Sequence, residues 1–196
     1  MQHKNIIITG ATDGIGLAAA KSIAKKGYHV SLVGRNPDKG KKALEAIIEY
    51  SGNENLDFFE CDLSLVTNVK DLADRIKQKH SKIDVLLNNA GGANKTKQIT
   101  SEGLEKTFAT NQMNYFVLST ELLNILSEST DGRIVNVASN AHIGAEVDYG
   151  NINSEKSFSA WTSYCVSKLM NIMFTYQLSF QIYRCKMFLN KFICFV

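Results

Sequence analysis

Two side chains in the last third of the chain have the types and the spacing for proton transfer. Tyr164 and Lys168 lie four residues apart, so that a phenol and an ammonium share one face of a predicted helix. A nearby cation stabilises a phenolate, and a phenol tuned in this way can give a proton to a carbonyl oxygen or take one from an alcohol. A Tyr-x-x-x-Lys pair in isolation is more often an aromatic core residue beside a solvated lysine. The pair therefore predicts chemistry only if other parts of the chain supply a cofactor site.

A glycine-rich turn near the start of the chain has the features of such a site. Residues 9–16 lie between an apolar strand signal, 6–8, and an alanine-rich helix signal, 17–26. Glycines permit a sharp turn and a close approach to a diphosphate, and the free N–H groups at the start of a helix favour an anion. A glycine turn without a ligand is the alternative. We expect this turn to bind a dinucleotide through Gly10, Thr12, Asp13, Gly14, Ile15 and Gly16.

The residues after the second predicted strand favour NADP (NADPH) over NAD. In dinucleotide sites an acidic residue about 20 positions beyond the glycines binds the ribose 2′-hydroxyl, whereas an arginine accommodates a 2′-phosphate. That position holds Arg35 and Asn36, and the guanidinium offers a charge-assisted, bidentate contact. Asn36 is also expected to cap a helix that begins at Pro37. An exposed loop arginine with no ligand is the alternative for Arg35.

Strand and helix signals alternate along the chain and predict an α/β fold. The strands are short and mostly apolar, which favours a doubly wound parallel sheet, the Rossmann fold, with helices on both faces. The last helix is apolar nearly all round, so we expect the sheet and a second subunit to bury it, in a homo-oligomer formed through the last two long helices. The predicted strands are 6–8, 29–33, 56–61, 83–87 and 133–138, and the two long helices are 101–126 and 161–182.

Composition excludes several classes of protein. With 196 residues, 44% of them hydrophobic and 21% charged, the chain suits one soluble domain. The net charge is only +3 and the basic residues are scattered, so we expect no nucleic-acid partner. No apolar run reaches the roughly 18 residues of a membrane span, although a membrane-surface role for the apolar tail stays open. Four cysteines without Cys-x-x-Cys spacing, and no signal peptide, predict a reduced, cytoplasmic chain without a metal site.

Taken in order, the motifs resemble those of the short-chain dehydrogenase/reductases, over about residues 4 to 182. Segments 103–108, 133–137 and 167–171 resemble most the retinol dehydrogenase and related carbonyl-reductase branch. The resemblance implies an NADP-dependent oxidoreductase acting on a small carbonyl or alcohol substrate of lipophilic character. The motifs are Thr9-Gly10-x-x-x-Gly14-Ile15-Gly16, Asp62-Leu63, Asn88-Asn89-Ala90-Gly91, Asn111, Ser139 and Tyr164-x-x-x-Lys168.

The resemblance also implies a role for each of these residues. Tyr164 would be the general acid/base, and Ser139 would polarise the substrate oxygen. Lys168 would bind the nicotinamide ribose hydroxyls, and Asn111 would hold a water of a proton relay. Outside this family pattern, Ser139 would be interpreted as a strand-end hydroxyl and Asn111 as an amide that kinks a helix. The adenosine side of the cofactor would be bordered by Asp62, Leu63, Asn89, Ala90 and Gly91.

After the last predicted helix the sequence departs from the family. Family members continue with a strand, a Pro-Gly motif and a substrate-covering segment, whereas the one proline here is Pro37. We therefore expect an NAD(P)-binding domain over 1–183 and an atypical tail over 184–196, in a truncated chain whose sheet lacks the usual C-terminal strands. Residues 192–196 have strand propensity, and whether they pair as a substitute strand stays open.

Two other functions compete with an active oxidoreductase. The departure at the C-terminal end favours a non-catalytic remnant that binds a dinucleotide or pairs with a longer family member. Another Rossmann enzyme, such as a sugar-nucleotide epimerase, fits less well because segment 89–91 and the helix spacing follow the reductase pattern.

Overall fold

The structure, a computed structural model, describes residues 4–184 and 189–195, and in these residues six parallel strands form one sheet. The strand order is β3-β2-β1-β4-β5-β6, and the direction of winding reverses between β1 and β4. This arrangement confirms the predicted α/β, doubly wound parallel sheet. The strands are β1 (Asn5–Thr9), β2 (His29–Gly34), β3 (Leu56–Glu60), β4 (Val85–Asn88), β5 (Gly132–Val137) and β6 (Leu189–Phe195).

Helices cover both faces of the sheet and bury a separate apolar cluster on each. Within β1, Ile6 and Ile8 face the cluster that includes Ala20 and Ile47, whereas Ile7 faces the cluster on the opposite side, which includes Leu118. This alternation buries both faces of one strand, as a doubly wound sheet requires. The helices are α1 (Gly14–Ala24), α2 (Pro37–Ser51), α3 (Val66–Lys79), α4 (Lys106–Phe108), α5 (Asn114–Glu121), α6 (Leu123–Ser127) and α7 (Ala160–Arg184).

The predicted helix over 101–126 is wrong at its start and is not a continuous α-helix. Its first turn begins only at Lys106, because the Glu105 carboxylate caps it by accepting hydrogen bonds from the N–H groups of Thr107 and Phe108, both at 2.9 Å. Gly103 turns the preceding chain with a φ of 81°. A π-helix, Ala109–Met113, then separates α4 from α5 and carries Asn111.

The C-terminal segment contributes a strand at the edge of the sheet. β6 pairs in parallel with β5, with Ile134 opposite Phe192 and Val137 opposite Phe195. This answers the question that the sequence left open: the segment, which has β propensity, pairs as a substitute strand with the open edge of β5. Residues 185–188 and Val196 of the predicted tail lie outside the described residues, and the proposed domain boundary after residue 183 stays a prediction.

The last helix is long and only partly covered by its own chain. Cys165, Leu178 and Ile182 of α7 are buried, but the large side chains of Tyr176 and Phe180 are 75% and 56% exposed. Among the described residues, no helix combines the length and the hydropathy needed to cross a membrane.

Candidate active site

The glycine turn between β1 and α1 is packed too closely for any side chain at its last glycine. A Cβ atom on Gly16 would lie 2.3 Å from the carbonyl oxygen of Gly10 and 2.5 Å from Nδ2 of Asn89. Gly10 itself has a φ of 65°, in the left-handed region that favours glycine. The turn ends at Asp13, whose carboxylate caps α1 by accepting a hydrogen bond from Gly14 N at 2.8 Å. The amino-terminal end of α1 is thereby fixed at the carboxyl edge of the sheet, where an anion is favoured.

Side chains tie the segment after β4 to this turn. The buried Thr9 hydroxyl accepts hydrogen bonds from the N–H groups of Asn89 at 2.9 Å and Ala90 at 3.0 Å. In return, Nδ2 of Asn89 donates to the carbonyl oxygens of Thr9 at 3.0 Å and Gly10 at 3.2 Å. Asn89 therefore positions the two loops on either side of the cleft. Thr9 contributes equally and is missing from the predicted site residues, although it begins the glycine motif.

The predicted adenosine side of the site is polar at Asp62 and apolar at Leu63. The Asp62 carboxylate accepts hydrogen bonds from Ser64 N at 3.0 Å and Ser64 Oγ at 2.8 Å, and Leu63 is buried. Partial burial acts to raise the pKa of Asp62, but the hydrogen bonds from Ser64 and the charges of Lys106 and Arg35 outweigh it and lower the pKa. The guanidinium of Arg35 is therefore close enough for its charge to contribute to the lowered pKa of Asp62.

Arg35 is exposed and lies directly after β2. The neighbouring Asn36 is confirmed as the cap of α2, since its Oδ1 accepts a hydrogen bond from Lys39 N at 2.9 Å. The Lys39 ammonium lies 3.4 Å from Oδ2 of Asp13 and brings a second cation to the glycine turn. Lys39 has no motif around it in the sequence, because its position depends on how α2 crosses the end of α1.

The predicted catalytic pair lies on one face of α7, with its cation buried. The Lys168 ammonium donates to the carbonyl oxygen of Val137 at 2.9 Å, and the residue is only 3% exposed. Its Nζ is 5.7 Å from the centroid of the Tyr164 ring and 5.8 Å from that of Tyr115. Tyr164 is partly exposed and stacks on Trp161, with ring centroids 6.1 Å apart. A fixed positive charge therefore lies beside an accessible phenol.

Asn111 is fully buried, and its amide binds protein groups on both sides. Its Oδ1 accepts a hydrogen bond from Gly92 N at 2.9 Å, while its Nδ2 donates to Gly92 O and to Ser167 Oγ, both at 2.9 Å. A Cβ atom on Gly91 would lie 3.1 Å from Asn111 Oδ1 and 3.4 Å from Lys168 Nζ. Gly91, Asn111 and Lys168 therefore converge on one point of the cleft. Ser167, which supports Asn111, is not among the predicted site residues.

Ser139 follows β5 and is held with its hydroxyl proton available. Its Oγ accepts a hydrogen bond from Ala141 N at 3.2 Å and caps a 3₁₀ turn over Asn140–His142. Because the oxygen accepts this bond, the O–H group can still donate to a substrate oxygen. Ser139 stands two residues after Val137, whose carbonyl binds Lys168, so β5 places both groups at the same edge of the sheet.

A buried chain of amides and hydroxyls supports the site from behind. Asn88 Nδ2 donates to Asn136 Oδ1 at 2.8 Å and to Ser119 Oγ at 2.9 Å, and Asn136 Nδ2 donates to Thr175 Oγ1 at 2.9 Å. These bonds tie β4, β5, α5 and α7 together. Asn136 and Thr175 are not among the predicted site residues. The signal in the sequence is the asparagine within the apolar run of β5, since a buried amide needs a hydrogen-bond partner.

Comparison with known proteins finds one family and related dehydrogenases over most of the chain. The family model described as short chain dehydrogenase matches residues 4–193. Human polyprenol dehydrogenase is 36% identical over 176 residues, which cover 88% of this chain and 53% of that protein. Human retinol dehydrogenase 11 is 35% identical, over 90% of this chain and 55% of its own length. The chain thus spans about half the length of these curated relatives.

Solved structures show the same fold. An uncharacterised protein from Mycobacterium paratuberculosis superposes with a TM-score of 0.84 at 31% identity, over 95% of this chain and 65% of that one. A short chain dehydrogenase from Escherichia coli CFT073 in complex with NADPH gives a TM-score of 0.76 at 26% identity, over 94% and 73% of the two chains. Since the family model spans nearly all of the sequence and the geometry of the glycine turn and of α7 agrees with it, the chain belongs to the short-chain dehydrogenase family.

Proposed function

We propose that this chain provides the catalytic unit of an NADP-dependent oxidoreductase that interconverts a carbonyl compound and an alcohol. The observation that carries the proposal is the accessible Tyr164 phenol beside the buried Lys168 ammonium, 5.7 Å from the tyrosine ring. When bound, the nicotinamide supplies or accepts the hydride. The glycine turn, Asn89, Ala90 and Gly91 would hold it along the carboxyl edge of the sheet.

Tyr164 would act as the general acid and base. In the reducing direction its O–H group would give a proton to the substrate oxygen, with the Lys168 ammonium beside the phenolate that results. The Ser139 hydroxyl would donate a hydrogen bond to the same oxygen while negative charge develops on it. In the oxidising direction the same groups take the proton from the alcohol.

Lys168 and Asn111 would complete the path of that proton. Lys168 would also bind the nicotinamide ribose hydroxyls, from the position that Val137 gives it. Because Gly92 and Ser167 already engage the Asn111 amide, a relay water at this place would bind to the backbone of the π-helix around Asn111.

The cofactor preference rests on the charges around the adenosine side of the cleft. Arg35 is exposed after β2, and Lys39 lies against Asp13 in the glycine turn. Two cations near one position would favour a 2′-phosphate, which only NADP carries. Arg35→Ala should therefore weaken NADPH binding much more than NADH binding.

A lipophilic substrate is favoured by exposed apolar side chains beside the phenol and in the segment after Ser139. Trp161 stacks on Tyr164 and is 67% exposed, and Ile143, four residues after Ser139, is 74% exposed. Polyprenol dehydrogenase and retinol dehydrogenase 11 act, by their names, on polyprenol and retinol, which are isoprenoid alcohols. We therefore expect an apolar alcohol or its carbonyl counterpart to be preferred to a short polar one.

The exposed face of α7 favours pairing with a second subunit. Met173, Tyr176 and Phe180 are exposed along this helix, and Phe116 of α5 packs edge-on against Phe174 beside them. Such a stripe is costly to leave in water. A homo-oligomer, or a pair with a longer family member, would bury it.

Thermal melting with and without cofactor is the first test. At about one hundred times Kd, a ligand that binds only the folded state adds roughly 2.7 kcal/mol, so NADPH should raise the melting midpoint clearly and NADH less. No response to either cofactor would contradict the proposed cofactor site.

Hydride transfer then tests the role of the phenol. Tyr164→Phe should lower kcat by about 10² to 10⁴, the typical contribution of a positioned acid or base, while the NADPH-induced melting shift is retained. Tyr50→Phe removes an exposed hydroxyl of α2 and serves as the matched control. Turnover retained in Tyr164→Phe would refute the proton role. Cofactor binding without turnover in the unmodified chain would favour the non-catalytic dinucleotide-binding alternative.

A further inference from the structure

A second cluster of polar side chains lies at the opposite, amino-terminal edge of the sheet. His29 begins β2, Asp57 is the second residue of β3, and His80 follows the last residue of α3. The register pairs Ser31 with Asp57, and His29 stands two residues before Ser31. Since side chains alternate along a strand, His29, Ser31 and Asp57 share one face of the sheet, and the end of α3 brings His80 to that face.

The donor atoms of this cluster have the spacing of a tetrahedral metal site. Oδ2 of Asp57 is 3.0 Å from Nε2 of His29 and 3.7 Å from Nε2 of His80. The Ser31 hydroxyl is 3.5 Å from the same carboxylate oxygen and 3.4 Å from Nε2 of His80. Zinc ligands at about 2.0–2.1 Å in a tetrahedron lie about 3.3 Å from one another. The four measured separations fall close to that value, and one donor atom from each of His29, Asp57 and His80 lies within 4.8 Å of the other two.

The side chains of the cluster are largely shielded from solvent, and a hydrogen-bonded neighbour orients the carboxylate. His80, Asp57 and His29 are only 8%, 15% and 22% exposed in their side chains. The second carboxylate oxygen of Asp57, Oδ1, binds the Lys79 ammonium at 2.5 Å, which fixes the orientation of the carboxylate and turns Oδ2 towards the two imidazoles.

We propose that His29, Asp57 and His80 bind one divalent ion of the zinc class, with the Ser31 hydroxyl or a water as fourth ligand. Two imidazoles and a carboxylate are a donor set that zinc accepts readily. The ion would join β2, β3 and the end of α3. β2 separates it from the cofactor cleft by roughly 15 Å, at about 3.3 Å per residue, so its role would be structural and independent of hydride transfer.

The three ligands have no characteristic spacing in the sequence, which explains why the sequence analysis predicts no metal site. Its members come from two strands and a helix end that are distant in the chain. The visible hint is the alternation of polar and apolar residues in β2, with His29 and Ser31 on one side of the strand.

Zinc titration of the whole chain, after treatment with a chelator, tests the proposal. Calorimetry should show one Zn²⁺ per chain, and Co²⁺ as a spectroscopic probe should give the strong visible absorption of a tetrahedral complex. His80→Gln and Asp57→Asn should each weaken binding by more than about a hundredfold, since loss of a direct ligand exceeds the 10- to 100-fold effect of losing a supporting group. His142→Gln, at the other edge of the sheet, should leave the affinity unchanged.

Two further measurements keep the result unambiguous. If His80→Gln fails to fold, His29→Gln at the more exposed start of β2 replaces it, and near-ultraviolet circular dichroism reports whether each variant is folded. No stoichiometric zinc binding by the chelator-treated chain, or equal binding by the unmodified chain and a folded His29→Gln variant, would refute the site and leave the cluster as an ion pair between Asp57 and its neighbours.

Discussion

The two edges of the sheet use polar side chains in opposite ways. At the carboxyl edge they bind the backbone: Thr9 accepts from two N–H groups, and Asn111 binds both the N–H and the carbonyl of Gly92. At the amino edge they bind each other, as His29 does Asp57 and Lys4 does Asp131. The first arrangement builds a rigid frame in which Tyr164 is accessible. The second is built from titratable side chains, so its contribution to stability should depend on pH.

This difference determines what each edge is sensitive to. A side chain that satisfies buried backbone groups cannot be shortened without leaving them unpaired, and a glycine in contact with backbone cannot be enlarged. Pairs of titratable side chains contribute a stability that depends on pH, and solvent screens the more exposed of them, such as Lys4 with Asp131. Substitutions at the carboxyl edge should therefore destabilise the protein through disrupted packing. The stability contributed by the amino edge should instead vary with pH and salt.

Gly16→Ala should have the largest effect. The new Cβ would lie 2.3 Å from a backbone oxygen that cannot move away alone, so we expect a loss of about 3 kcal/mol in the free energy of unfolding, together with loss of the NADPH-induced melting shift. Chemical denaturation and cofactor titration measure the two effects.

Gly27→Ala is the matched control for that change. Gly27 has a left-handed φ, 77°, but nothing lies within 4 Å of its Cβ position. Strain alone should cost it about 1 kcal/mol, and its response to NADPH should be retained. Equal losses of stability in the two variants would show that the turn is not tightly packed.

Asn111→Ala should cause the second-largest loss of stability. It leaves the N–H and the carbonyl of Gly92 and the hydroxyl of Ser167 without this partner, which should lower the free energy of unfolding by about 2 kcal/mol. Asn124→Ala, at an exposed position of α6, changes the same side chain and should stay within about 0.5 kcal/mol. A similar loss in both variants would mean that the Asn111 amide does not hold the loop.

The carboxyl edge could be predicted in much greater detail than the amino edge. The glycine turn, Asn36 as a helix cap and the Tyr164–Lys168 pair each depend on residues that are close in sequence, where spacing translates directly into geometry. The positions of Lys39 and Thr175 depend on how distant helices pack, so they could not be predicted. The pairing of His29 with Asp57 depends on strand register, which short apolar strands do not specify by sequence alone.

Some helix and strand boundaries differ from the prediction for local reasons. The apolar steps within 101–126 predict a continuous helix, but the Glu105 cap and Gly103 delay its start, and the π-helix around Asn111 has no signal in a 3.6-residue period. The edge strand β6 could not be assigned from sequence because no turn residues set its register. Its place depends on the edge of β5 with which it pairs.

At the amino edge, His80 should make stability fall as the solution becomes more acidic. Burial and the charges of His29 on β2 and Lys79 on α3 lower its pKa, and Asp57 on β3 acts in the opposite direction. Below the ordinary pKa near 6.5 the unfolded chain therefore binds a proton that the folded chain does not. The free energy of unfolding should fall by up to about 1.4 kcal/mol per pH unit.

His80→Gln should remove this slope, and His142→Gln should keep it. Denaturation between pH 7.5 and 5, roughly the range in which histidine titrates, in the presence of a chelator measures both. A slope that survives in His80→Gln would assign the proton to another group.

Asp131 should cause the smallest change in stability with pH. Its chemical origin is opposite to that of His80, because the folded chain favours the charged form of Asp131 and disfavours the charged form of His80. Hydrogen bonds from Lys4 and then Arg133 lower its pKa to about 2, and the side chain is 34% exposed. Its stabilising contribution is therefore fully present above the ordinary pKa of an aspartate, and it should disappear as the pH falls from about 4 to about 2. Asp131→Asn should be less stable than the unmodified chain at neutral pH and equally stable near pH 2, with about 1 M salt reducing the difference throughout.

Glu49→Gln, at an exposed carboxylate of α2, should show no such convergence. The contribution of His80 to stability is lost near neutral pH, whereas that of Asp131 is lost only in strong acid. A pH series therefore separates the two contributions. A difference for Asp131→Asn that persists below pH 2 would show that the residue acts through packing, as the carboxyl edge does.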